Sequence, residues 1–465
     1  MLRRLVQDHR KPAGVFAPGR RLLTVGILLS IASFAIEGMG VVPALPTAVA
    51  ALHGLELFGW AFSAFMLAWI VGTVAGGVLA DARGPRLPMA LGLFGFSAGL
   101  LLAGSAQSML QFLGGRALQG GGGGAIMAAA YVAIARGYDD TQRARMMALT
   151  SSVWIVPALV GPALSGAVTQ WFGWRLVFLG AVPLVACSAL LVLPPLREFE
   201  TRSTLARSPR VVWSFAAAVG AGAILASPSA TGMTTALVLA LSGTLLLARA
   251  LPALLPAGTL RARRGLPAGV LTRGLLAFAF FGTEAFIPRG AGELRSAIPT
   301  EAGLALSAGA LGWIGASWWQ DRLEARHGAA ARALRLRAGF VLVACAIALV
   351  ALTLLSALPF ALLPLAWALG GAGVGLSYSA GGLLCLAAAP SGREGEVTGQ
   401  LQLAEALCTA AAAGLGGALL WALARAQFSP RQAHAVVFGT TFIAALLGAL
   451  IAGRSAPQAA PKRVE

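Results

Sequence analysis

Fourteen stretches of roughly 20 apolar residues, joined by short loops, decide what this chain can fold into. Inside lipid every backbone N–H and C=O must find its partner within the protein, which leaves helices or closed barrels. Segments of this length match the ~20 residues that a helix needs to cross the hydrocarbon and exceed the ~10 of a barrel strand. The composition agrees. Of 465 residues, 58% are hydrophobic and 11% charged, against about 25% charged in soluble domains. The fold class predicted is an all-α integral membrane protein. Spans are expected near 22–42, 57–80, 87–106, 109–135, 146–170, 174–194, 211–228, 231–250, 269–288, 299–319, 338–357, 360–389, 396–424 and 434–453. The stretch 251–268 reads as an interfacial segment, and 1–18 and 455–465 as flexible tails.

Charge orients the spans. With the N-terminus inside, 29 of the 35 basic residues fall in cytoplasmic segments, including Arg83, Arg86, Arg136, Arg202, Arg207, Arg273 and Arg335. Five, Arg175, Arg289, Arg295, Arg425 and Arg431, fall outside, and Arg116 is embedded. This asymmetry follows the positive-inside rule and supports an even span number with both termini cytoplasmic. The same clustering in short loops speaks against a nucleic-acid partner for the net charge of +18. The four Cys (Cys187, Cys345, Cys385, Cys408) and four His (His9, His53, His327, His434) show no metal-ligand spacing. No metal, cofactor or enzyme active site is expected from them. The first span lacks a small-residue cleavage site and reads as a retained anchor.

The informative residues are charges at membrane depth. Glu37 lies about 15 residues into the first span, ~22 Å along the helix. An acid there costs at least about 3 kcal/mol on insertion scales, so its presence points to function. Glu284 in FAFFGTEAFIP and Glu405 in GQLQLAEALCTA share the situation, and Arg116 in FLGGRALQG is the buried base. These carboxyls are expected to face a water-reachable vestibule and exchange protons there, with Arg116 close enough to Glu37 to tune it. Trp69 and Trp154 lie deeper than the other Trp residues and are candidates for stacking on a substrate. The Gly run 120–124 sits inside an apolar span with no Lys-Ser/Thr after it. It reads as a close-packing surface, not as a phosphate loop.

Four motifs carry a resemblance. GGVLADARGPR (residues 76–86), through Gly77, Asp81, Gly84 and Arg86, resembles the loop motif of the major facilitator superfamily, with Ala82 where that family usually has a base. LGGRALQGGGGGA (113–125), through Arg116, Gln119, Gly120 and Gly124, resembles its fourth-span motif. WIVPALVGPALSG (154–166), through Gly161, Pro162 and Gly166, resembles its antiporter motif, with Pro157 at a position that often holds Gly. VVPALP (41–46) resembles the end of the first span in drug/proton antiporters. In the second half, ASWWQDRLEARHG keeps Asp321 and Arg322 but not the leading glycines. In the loop motif, Gly77 is read as permitting close helix contact, Gly84 as a tight turn and Asp81 as a partner for a cytoplasmic Arg. Gly161-Pro162 is read as a bend.

What the resemblance implies is a major facilitator fold of two six-helix bundles, 1–195 and 256–465, with two extra central helices within 196–255. That arrangement is similar to the fourteen-span drug/proton antiporter branch. The implied activity is proton-coupled export of amphiphilic or drug-like small molecules across the cell membrane by a monomer. Transport of a specific metabolite, lipid or natural product is the alternative, and a transport-inactive membrane sensor a more distant one. Glu37, Arg116, Glu284 and Glu405 are the candidate proton-coupling or substrate residues. Gly77, Asp81, Gly84, Arg86, Gln119, Gly120, Pro157, Gly161, Pro162 and Gly166 are the candidate gating positions.

Overall fold

A computed structural model describes residues 14–200, 208–230, 232–356, 358–390 and 393–456. The basic positions Arg3, Arg4, Arg10, Lys11, Arg202, Arg207, Lys462 and Arg463, with most of both expected tails, lie outside these residues. Among the described residues there is no strand. The helices are α1 (Arg21–Ala51), α2 (Trp60–Arg83), α3 (Arg86–Gly104), α4 (Met109–Gly137), α5 (Asp140–Val153), α6 (Ile155–Phe172), α7 (Arg175–Leu179) and α8 (Val182–Val192). There follow α9 (Pro209–Ala226), α10 (Met233–Leu254), α11 (Leu266–Arg295), α12 (Pro299–His327), α13 (Arg332–Leu355), α14 (Leu363–Ala387), α15 (Glu394–Arg425) and α16 (Pro430–Ile451).

Among the described residues, thirteen helical segments are long and apolar enough to cross a membrane, with α5–α6 and α7–α8 each counted as one. α12 is long enough but is not among them, because Trp-Trp-Gln-Asp-Arg and its other polar residues dilute its apolar run. It nonetheless packs lengthwise between α6 and α14.

Proline explains two interruptions. A Pro ring clashes with the carbonyl four residues earlier. Pro157 places that clash at Val153, the last residue of α5, and Pro183 places it at Leu179, the last residue of α7. α6 runs through Gly161 and Pro162 as one helix, and the break in this span falls at Trp154. Elsewhere helices continue through proline. α1 contains Pro43 and Pro46 and extends to Ala51, nine residues past its expected end.

The packing repeats. α4 lies against α2 and α3 as α14 lies against α12 and α13. Likewise α1 contacts α6 and α8 as α11 contacts α15 and α16. α9 lies on α2 and α15, and α10 packs on α9. Close approach in the first half depends on the Gly run of α4. A Cβ at Gly120 would come 2.0 Å from Phe65 O, and one at Gly124 2.5 Å from Trp69 O. The pattern is the small-residue packing of membrane helices.

The halves meet along two seams, α6 with α12 and α2 with α15. The tightest contacts sit at the end away from the Arg-rich loops. A Cβ at Gly303 would lie 2.2 Å from Pro162 O, and one at Gly166 2.4 Å from Pro299 O. Phe58 packs on Phe286 with ring centres 5.6 Å apart, and the Arg289 guanidinium lies 4.9 Å over Phe58. Ser63 donates to Ala410 O at 2.8 Å. This end of the bundle is closed by backbone-to-backbone contact that any side chain larger than hydrogen would prevent.

Candidate functional site

Residues from α1, α2 and α4 build the first cluster. Arg116 projects from the first third of α4 and is 3% exposed; Glu37 on α1 is 2% exposed. They form a direct ion pair. Arg116 also donates through Nε to Ala61 O at 3.0 Å and through Nη1 to Gln119 Oε1 at 2.5 Å. Its guanidinium stacks 4.4 Å above the Phe65 ring. The arginine is thus satisfied by an acid, an amide, a carbonyl and an aromatic face. The acid is not: Glu37 Oε2 is buried with no hydrogen-bond partner. An unsatisfied buried acceptor at an ion pair costs stability and marks a site where a proton or a ligand donor can bind.

Aromatic rings close the cluster on one side. Trp69 stacks on Phe34 at 4.5 Å, Trp154 meets Phe34 edge-on at 5.6 Å, and Phe34 lies 6.0 Å from Phe65. The two deep tryptophans therefore share one phenylalanine, which a Cβ at Gly123 would strike at 2.7 Å. Glu37, expected to face a water-reachable vestibule, is buried in this conformation among α1, α2 and α4.

The second half holds its own charges, less tightly shut. Glu284 on α11 is half-buried beside Trp367, whose buried indole N–H lies outside hydrogen-bonding geometry. Glu405 on α15 accepts from the Tyr378 hydroxyl at 3.0 Å and lies 3.8 Å from Arg273 Nη1. Arg273 stacks 3.4 Å from the Tyr378 ring centre and donates to Tyr378 O at 2.9 Å. A void about the size of one water separates these groups from Phe280 and Phe281. Glu284 and Glu405 are not brought together with the Glu37–Arg116 pair, which belongs to the other bundle.

Arg273 and Arg335, both counted among the cytoplasmic basic residues, are buried against their partners, at 8% and 6% exposed. Arg335 pairs with Glu324, which also holds Arg332 at 2.6 Å. The neighbouring guanidinium groups hold the Glu324 carboxyl below its ordinary value. Arg273 lies inside its own predicted span, four residues past its start, and Tyr378 is one of only three tyrosines in the chain. Those two signals were available for the partners of Glu405.

The loop motif also divides. Gly84 has φ +83°, and a Cβ there would lie 2.3 Å from Phe199 O, so the turn admits only glycine. Arg86 pairs with Glu200. Arg136 donates to the backbone oxygen of Asp81 at 3.3 Å. Gly77, expected at a close contact, faces open space. The contact belongs to Gly76, whose Cβ would meet Ala125 Cα at 2.8 Å, because helical rotation turns adjacent residues about 100° apart. Of the antiporter motif, Gly166 and the carbonyl of Pro162 form the α6–α12 seam, and a Cβ at Gly161 would lie 3.7 Å from Gly40 N on α1.

Long apolar helices packed in a repeated pattern, with charges buried among them, are the arrangement of a membrane transporter. The sequence profile of the Major Facilitator Superfamily matches residues 23–413, and the chain belongs to that superfamily. Multidrug resistance protein 3 of Bacillus subtilis is 30% identical over 178 residues, 38% of this chain and 35% of that protein. The Acurin A biosynthesis cluster MFS-type transporter of Aspergillus aculeatus is 30% identical over 201 residues, 42% of this chain and 36% of that protein. The chain thus matches about a third of the length of these curated relatives. In overall fold it is similar to an auto inhibited POT family peptide transporter, with a TM-score of 0.68 and 16% identity over 95% of this chain and 99% of that one. A POT family transporter in complex with 5-aminolevulinic acid gives a TM-score of 0.69 at 13% identity, over 96% and 99%.

Proposed function

We propose that the chain is a proton-coupled exporter of amphiphilic or drug-like small molecules. Residues 1–195 and 256–465 rock as two six-helix bundles, with the inserted pair from 196–255 beside the α2–α15 seam. In this reading all fourteen long segments span the cell membrane of a monomer, and both termini are cytoplasmic. The Arg-rich end is then cytoplasmic, and the sealed end is outer.

The observation that carries the proposal is the buried Glu37–Arg116 pair with its one unsatisfied carboxylate oxygen. While paired, the acid stays charged. When substrate or helix movement draws Arg116 away, an unpartnered carboxylate at that depth is costly, so it takes up a proton. Restoring the pair expels the proton. Exchange of this kind couples opposite fluxes without nucleotide. Glu284 and the Arg273–Glu405–Tyr378 group are the corresponding candidates in the second bundle. The partial exposure of Glu284 fits contact with the central path.

The names of the relatives support export. Multidrug Resistance and Efflux Pump stand among the matches, and the biosynthetic-cluster relative favours a second reading, export of one natural product. Inverted and right-side-out vesicles test direction. An acid-inside gradient should drive cationic dye into inverted vesicles only in the presence of the protein. Uptake into right-side-out vesicles alone, or no dependence on the gradient, would remove proton-driven export.

A further inference from the structure

No acidic residue stands between Glu200 and Glu284, and eight arginines do. Arg210 pairs with Glu396 and Arg273 with Glu405. Arg202 and Arg207 lie outside the described residues. The other four, Arg249, Arg261, Arg263 and Arg264, are exposed and have no acidic partner among the described residues. Three of them share one built turn between the end of α10 at Leu254 and the start of α11 at Leu266. Gly258, Ala262 and Gly265 hold it with φ of +90°, +48° and +87°. Thr259 and Ala262 face inward and are buried, and Thr259 Oγ1 donates to Pro256 O at 2.7 Å. The stem of Arg263 packs so close to Gly258 that a Cβ there would lie 2.4 Å from Arg263 Cδ. Leu260, 74% exposed, forms the tip among Arg261, Arg263 and Arg264. Gly265 N donates to Arg454 O at 2.8 Å, which brings a further exposed arginine to the same turn.

The turn sits at the edge of the membrane. α10 before it buries only Gly243 and Ala250, and Leu237, Val238, Leu241 and Leu245 are each more than half exposed, so lipid covers this helix. Arg249 lies five residues before its end, or ~8 Å by helical rise, within reach of the headgroups for a long basic side chain. α11 after the turn runs into the buried core of the second half. The chain therefore crosses headgroup depth with an apolar tip and a cluster of guanidinium groups that no acid neutralises. Guanidinium groups bind phosphate oxygens in pairs. A zwitterionic headgroup brings an ammonium that these groups repel, whereas a net-anionic one brings none.

We propose that the turn 258–265, with Arg249 and Arg454 beside it, docks anionic phospholipid headgroups of the cytoplasmic leaflet. The inference rests on the cytoplasmic assignment of the Arg-rich end and is independent of what the chain carries and of what drives it. Native mass spectrometry of the full chain in detergent, titrated with dioleoyl phosphatidylglycerol or dioleoyl phosphatidylcholine, reads the preference with no transport assay. Wild type should bind the phosphatidylglycerol at least about tenfold more tightly, since each arginine at an anionic surface contributes about fivefold.

Two sets of variants localise it. Arg261→Gln, Arg263→Gln and Arg264→Gln together should bind the two lipids alike. These side chains are exposed and hold no acid, so the unfolding temperature should stay that of wild type. Arg322→Gln with Arg326→Gln, which removes two exposed arginines of α12, should leave the preference as it is. Glycerol phosphate in excess, which carries the same anion without acyl chains, should not displace the lipid. Equal binding of both lipids by wild type, an undiminished preference in the triple variant, an equal loss in the α12 variant, or displacement by glycerol phosphate would overturn the proposal.

Discussion

Replacing Arg116 gives the most exacting check on the first-bundle cluster. Arg116→Met leaves Glu37 2% exposed and without a cation, so the acid must either stay charged at a cost or take up a proton. Breaking a buried pair from one side costs about 3–5 kcal/mol. Glu37→Leu is the milder half, because Arg116 keeps Gln119 Oε1, Ala61 O and the Phe65 face. Its cost should fall near about 2 kcal/mol, toward the value of a single charged hydrogen bond. The double substitution replaces both charges with apolar side chains of similar length and should be close to neutral, as for other buried pairs exchanged for apolar groups. The cycle then yields a coupling of several kcal/mol. Reversible unfolding by dodecyl sulfate in mixed micelles, followed by Trp fluorescence, measures it. A coupling below about 1 kcal/mol is the level of a solvent-exposed pair. That result would mean water reaches Glu37 in the resting state and would refute the sealed geometry.

The second bundle, the closed end and one surface junction give further expectations. Arg273→Lys should retain little transport, because an ammonium neither stacks on Tyr378 nor reaches both its carbonyl and Glu405; a substrate-flux assay at wild-type rate would contradict this. Tyr378→Phe should be milder, costing about 1–2 kcal/mol in the same unfolding assay through the lost donor to Glu405. Gly303→Val places carbon against Pro162 O and should prevent closure of the end away from the basic loops. A cysteine on that side of α6 should then react faster with a water-soluble maleimide, and an unchanged rate would count against the seam. Glu324 carries a lowered pKa from Arg332 and Arg335, so its contribution is present above the unfolded carboxyl value of about 4.3 and fades as pH falls through the lower folded value. Stability of Glu324→Gln should therefore lie beneath wild type at neutral pH and converge on it only as the pH falls through the lowered folded value.

Much of this architecture was readable from the chain, for reasons that differ by residue. Glu37 and Arg116 were legible because each is a charge in a long apolar run, and the cost of burying either alone predicts a partner. Arg273 was not, because charge counting assigns basic residues near a span boundary to the loop. Only the stacked Tyr378 and the acid across from it reveal where the side chain lies. The breaks at Trp154 and Gly180 follow from the Pro-to-carbonyl clash four residues back, a local rule. The α6–α12 seam does not, since it depends on which face of each helix turns to the other half. Gly77 shows the same limit within one residue: a motif gives the helix, and a rotation of about 100° decides whether Gly76 or Gly77 meets its neighbour.

The account turns on whether Glu37 exchanges its proton during transport. The direct measurement is proton movement in proteoliposomes holding a pH-sensitive dye, with cationic substrate added outside, for wild type and Glu37→Gln. Wild type should move protons opposite to the substrate and at a fixed ratio. Glu37→Gln should move none, while still exchanging labelled for unlabelled substrate. Proton countertransport by Glu37→Gln at the wild-type ratio would contradict the account.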